Sequence, residues 1–183
     1  MRILLINLVL LLAPVTFVTA QTPASPVTSP NLGAIAFLTK YEWEAKLPDR
    51  RDGKKIKIHA QFTWSQNGQA IRISNQWVTD DNARPYVEGL YAWDPQQRAI
   101  VFWYVDAEGT LTKGKVKTDD GKLIHEFEQI APDGEIAAYV AKLTPQDEQS
   151  WQNEIFEQHG TELKPIVNVR YEIADTSKVT RGK

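Results

Sequence analysis

Apolar and polar residues alternate with a period of two along much of the chain. Tyr41, Trp43, Ala45 and Leu47 share one face against Glu42, Glu44 and Lys46. Ile56, Ile58, Ala60, Phe62 and Trp64 do the same against Lys55, Lys57, His59, Gln61 and Thr63. Ile71, Ile73 and Trp77 oppose Arg72, Ser74 and Gln76, and Val167, Val169 and Tyr171 oppose Asn168, Arg170 and Glu172. Successive strand side chains point to opposite faces, so each segment predicts a strand with one buried face. Turn residues punctuate the chain: Pro48-Asp49 to Asp52-Gly53, Asn67-Gly68, Asp80 to Asn82, Asp94-Pro95, Glu108-Gly109, Asp119 to Gly121, Pro132 to Gly134, Thr144-Pro145 and Gly160. Gly and Asn supply the positive φ of tight hairpins, and Pro sets the first corner. About ten runs rich in β-branched and aromatic residues lie between these turns.

Two segments have helical character. Leu32, Ile35, Ala36 and Leu38 predict a short helical turn before the first strand, and Pro145 to Ser150 predicts a single turn with Pro at its start. Neither is long enough to carry a crossover, so consecutive strands must pair antiparallel. The expected fold is all-β: an antiparallel meander of about ten strands that curls into a barrel and so removes its edges, with a short N-terminal helical turn. The run Ala99 to Val105 is apolar on both faces. It predicts a strand covered on both sides; its alternative is an exposed surface of an interaction module.

The first residues alter the picture of where the chain works. Arg2 is followed by an apolar run from Ile3 to Leu12, and Val18-Thr19-Ala20 precedes Gln21. That order predicts a cleavable export signal over 1–20 and a secreted or periplasmic protein with no membrane anchor after cleavage. Pro14 and the threonines interrupt the apolar run before it reaches spanning length. Residues 21–31 hold three prolines and read as a tether, 32–174 as the domain, and 175–183 as a polar tail. Without the signal, 20 basic residues face 23 acidic ones, interspersed, with no basic stripe for nucleic acid. There is no cysteine, which removes disulfides, thiolate catalysis and cysteine-held zinc.

Several of these features resemble the lipocalin-like (calycin-type) barrels that bacteria export, a family largely of unknown function. They are the apolar turn Leu32 to Leu38, a Trp-containing first strand, Tyr91-Ala92-Trp93-Asp94-Pro95, Asp106-Ala107-Glu108-Gly109, Lys113-Gly114, and a last strand with Arg170-Tyr171. The resemblance implies a calycin barrel over 32–174. It also implies a barrel-closing pair in which an Arg of the last strand crosses the Trp of the first, here Arg170 and Trp43. Tyr41 stands where the family's first-strand glycine would be.

Candidate chemistry comes from polar residues in phase with apolar ones. Asn75 shares a face with Ile73 and Trp77, His125 with Leu123 and Phe127, and Asn153 with Trp151, Ile155 and Glu157. Turned inward, each would need a hydrogen-bond partner, supplied by the protein or by a ligand. Trp64, Asn75, Trp77, His125, Phe127, Asn153 and Glu157 are therefore the candidate ligand contacts for a small hydrophobic molecule or lipid. No nucleophile elbow or phosphate loop is present. An enzymatic alternative would pair His125 with a carboxylate such as Glu157. His59 faces outward and His159 adjoins a turn glycine, so no three-histidine metal site is expected. No cofactor is expected either, haem held by His125, the one inward histidine, being the minor alternative.

Overall fold

The computed structural model describes residues 27–48, 55–79 and 82–175. The expected export signal, the expected tether up to residue 26, the turn expected over Asp49 to Gly53, Asp80-Asp81 and the expected tail beyond Asp175 lie outside these described residues. A 3-10 helix, Pro30–Lys40, precedes ten strands: β1 Trp43–Lys46, β2 Lys57–Trp64, β3 Ala70–Thr79, β4 Asn82–Asp94, β5 Ala99–Asp106, β6 Leu111–Asp119, β7 Lys122–Ile130, β8 Ile136–Asp147, β9 Ser150–His159 and β10 Glu162–Ile173. Each strand pairs antiparallel with its sequence neighbours, and β1 closes the barrel on β10 through Trp43↔Ile173 and Ala45↔Tyr171. The fold class expected from alternation is thus the one observed.

Short hairpins follow from residues that tolerate φ > 0. The two-residue turn between β6 and β7 has Asp120 at φ 44° and Gly121 at φ 73°, the paired left-handed conformation whose twist suits a hairpin. Prolines inside strands sit beside irregular pairing: Pro85, Pro145 and Pro165 each adjoin a register shift. A proline cannot donate to the ladder, and a bulge is where that missing donor costs least. This corrects the helical turn expected at Pro145. That residue instead lies in β8, which continues to Asp147.

The helix plugs one end of the barrel. Leu32, Ile35 and Leu38 have no exposed surface at all, and their spacing of three is the spacing that eclipses side chains on a 3-10 helix. Burying each contributes about 1.5–3 kcal/mol. The helix begins at Pro30, so it takes in the last two residues expected in the tether. Ser29 N–H donates to the Gly68 carbonyl of the β2–β3 hairpin at 2.8 Å, which fixes the plug against that rim.

The barrel closes differently from the pair implied by the resemblance. Arg170 lies between the inward Val169 and Tyr171, so its side chain is outside, donating to Ser150 Oγ at 2.9 Å and facing Asp147 at 3.7 Å. Trp43 is buried on the inside, donates from Nε1 to the Leu38 carbonyl at 2.8 Å, and meets Trp151 edge-on at 6.1 Å. Strand alternation separates the two residues across the wall.

Strand β5 also differs from the expectation of two covered faces. Ile100 and Phe102 are buried, whereas Trp103 is 44% and Val105 46% exposed on the outer face. Val105, Leu111, Ile130 and Ile136 are register partners in succession across β5 to β8, forming an apolar row on that face.

Candidate functional site

The barrel interior holds a cavity of about 310 Å³. Side chains of β2 to β5 and β7 to β10 line it, together with Leu47 just after β1. The helix plug lies at the end where β1, β3 and β9 begin. Asp106, Gln129 and Trp77, near the ends of β5, β7 and β3, mark the opposite end.

Of the residues that alternation turns inward, Asn75, Trp77, His125, Phe127 and Asn153 all line this cavity. Two others do not. Trp64 is the last residue of β2, beyond Phe62 at the plugged end, and packs there against the core. Glu157 follows Ile155 toward the opposite rim, where its carboxylate sits 3.2 Å from Nε2 of His159. A carboxylate at a strand end stays in reach of water, which is why parity alone misplaces it.

His125 is at the centre of the polar wall. It is 4% exposed, and its Nε2 lies 3.3 Å from the Tyr91 hydroxyl. Tyr91 and Phe102 meet the imidazole edge-on, at 5.9 and 5.2 Å between ring centroids. Desolvation lowers the His125 pKa to about 4, with only a partial opposing effect from the Leu123 backbone. The ring is therefore neutral at pH 7. The structure gives it a phenol as its side-chain hydrogen-bond partner and not the carboxylate that the enzymatic reading requires. His59 stands outside, 3.2 Å from Glu42, so the three histidines do not converge. Among the described residues no cluster of His, Asp or Glu could hold a metal ion.

The other walls are aromatic. Trp151 stacks face to face on Tyr171, with centroids 3.9 Å apart and planes within 3°. Trp77 lies 4.4 Å from Tyr86, and its ring carries the Arg84 guanidinium at 5.2 Å. Burial raises the pKa of Tyr91 and Tyr171 and pushes Tyr104 up to about 12, so these phenols remain protonated hydrogen-bond donors at neutral pH.

Four polar side-chain atoms on lining residues are buried without a hydrogen-bond partner in the protein: Asn75 Oδ1, Trp77 Nε1, Trp151 Nε1 and Asn153 Oδ1. The Nδ1 of His125 also makes no hydrogen bond of normal geometry. Each such group costs on the order of 1–3 kcal/mol if left unpaired.

Sequence reasoning missed Tyr86, Tyr91, Tyr104 and Asp106 as lining residues. Tyr86 is hidden from period-two counting by the register shift in the β3–β4 pair, which lets it and its neighbour Val87 both line the interior. Pro85 is the one local signal of that shift. Tyr104 and Asp106 fall in and after the doubly apolar run, whose parity is ambiguous in sequence.

No family model and no curated protein matches this chain. Among solved structures, the fold is similar to one described as the crystal structure of Rv2717c from M. tuberculosis, with a TM-score of 0.54 at 10% identity. The match covers 81% of this chain and 99% of that one, and it establishes a shared barrel architecture.

Proposed function

We propose that the barrel is a binding protein that takes one small, mostly hydrophobic molecule into its interior. The observation that carries this reading is an aromatic-walled cavity of about 310 Å³ whose lining residues include four with a buried polar atom that has no partner in the protein. That combination of apolar lining and a few convergent polar groups is what small-molecule sites share. At roughly 30 Å³ per water, the space corresponds to about ten waters. A compact ring system suits it better than a long acyl chain. The signal-like pattern over 1–20 supports action outside the cytoplasm.

Titration calorimetry with 2-naphthol, a compact two-ring alcohol, tests the reading. The folded chain should bind it, and Ala141→Phe, which places a ring in the cavity, should weaken binding by about tenfold or more. Contacts between naphthol protons and the Phe127 or Trp151 rings, read by NMR on the unaltered protein, provide a measurement independent of that variant's folding. Absence of heat and of such contacts would remove the proposal.

A further inference from the structure

We propose that the cavity selects uncharged molecules that both donate and accept hydrogen bonds, and that it rejects carboxylates, sulfonates and phosphates. This rests on the interior-binding reading and narrows its ligand class.

Among the described residues no Lys or Arg lines the cavity. Arg84 is outside this lining, with its guanidinium over the Trp77 ring at 5.2 Å. The one imidazole, His125, is neutral and shares its Nε2 with the Tyr91 hydroxyl. The single formal charge on the lining is negative, on Asp106 at the last position of β5. An anion entering this space would lose its hydration and meet neither a cation nor a metal ligand set, and an ion buried without a partner is strongly disfavoured. The Tyr91 hydroxyl is engaged with His125 Nε2, and a protonated phenol such as Tyr171 stabilises an anion less than a cation does.

The unpartnered atoms say what the ligand offers in return. The lining residues Trp77 and Trp151 carry buried indole N–H groups with no partner in the protein, and these only donate. The lining residues Asn75 and Asn153 carry buried, unpartnered amide oxygens, which only accept. A purely apolar occupant would leave all four atoms unpaired. One carrying a hydroxyl, amide or ring N–H can satisfy a donor and an acceptor at once.

Three matched probes separate the possibilities: naphthalene, 2-naphthol and 2-naphthoate at pH 7, each titrated into the full chain by calorimetry. The expected order is naphthol first, naphthalene weaker by about tenfold for the lost hydrogen bonds, and naphthoate weaker than naphthol by roughly 100-fold. Asp106→Asn should preserve most of that discrimination, because its origin is desolvation in a cavity without cations. Naphthoate binding as tightly as naphthol, or regained fully in Asp106→Asn, would overturn this inference while leaving interior binding intact. Naphthalene binding as tightly as naphthol would overturn its hydrogen-bonding half. Failure of all three probes would instead remove the binding reading itself, and this inference with it.

Discussion

His125 makes the barrel sensitive to acid in a way that can be worked from the structure. In the folded protein its pKa is lowered from 6.5 to about 4, principally by desolvation. Between those values the unfolded chain holds a proton on this ring and the native barrel does not. Protons therefore favour unfolding, and stability falls as the pH falls through that interval. Above about pH 7 the group has no effect, since both states are neutral, and below about pH 4 its effect is constant. Each pH unit across the interval costs about 1.4 kcal/mol, so roughly 3 kcal/mol is lost by pH 4. That is a large fraction of the 5–15 kcal/mol typical of a folded domain. Asp94 and Asp147 are held below the usual carboxylate range, Asp94 chiefly by the backbone N–H and side-chain amide of Gln97 and Asp147 chiefly by the backbone N–H of Gln149. Their stabilising contribution is lost at lower pH than the His125 interval. Urea unfolding at several pH values between 4 and 7.5, on the natural chain and on His125→Gln, isolates the histidine as the difference between two curves. The natural chain should lose stability steeply below pH 6.5 and the variant only weakly. Ring-proton NMR gives the same answer directly: an imidazole that titrates near 6.5 in the native protein would refute the reasoning.

Two further outcomes test the packing around the cavity. Gly114→Ala should destabilise by about 1–3 kcal/mol in urea unfolding, because an added Cβ would run into the Glu126 carbonyl and Phe127 Cβ, with Phe102 Cζ 2.9 Å away; an unchanged midpoint would show that the wall gives there. Trp43→Phe removes the Nε1–H that satisfies the buried Leu38 carbonyl at 2.8 Å, and should cost about 1–3 kcal/mol together with faster hydrogen exchange in the helix plug. Exchange rates that match the natural chain would show that apolar packing alone holds the plug.

Alternation made the interior legible because a strand has only two faces, and one of them must be dry. Parity alone puts Asn75, Trp77, His125, Phe127 and Asn153 on the inner face, and all five line the cavity. Parity carries no information about position along the barrel axis, so Trp64 and Glu157 have the right phase and the wrong depth. It also fails at a bulge, where Tyr86 and Val87 both line the interior against the count of two. The Arg170 case is the most instructive. Its own neighbours, Val169 and Tyr171, already assigned it to the outer face, and the family resemblance pointed the other way; the alternation was the physically stronger statement, because moving that guanidinium inside would bury a charge with no carboxylate to meet it. The same reasoning explains the unpaired polar atoms. A core selected only for stability would replace Asn75 and Asn153 with apolar residues of similar volume and lose nothing in packing. On the binding reading proposed above, an occupant that pairs with these amide oxygens is what offsets their cost.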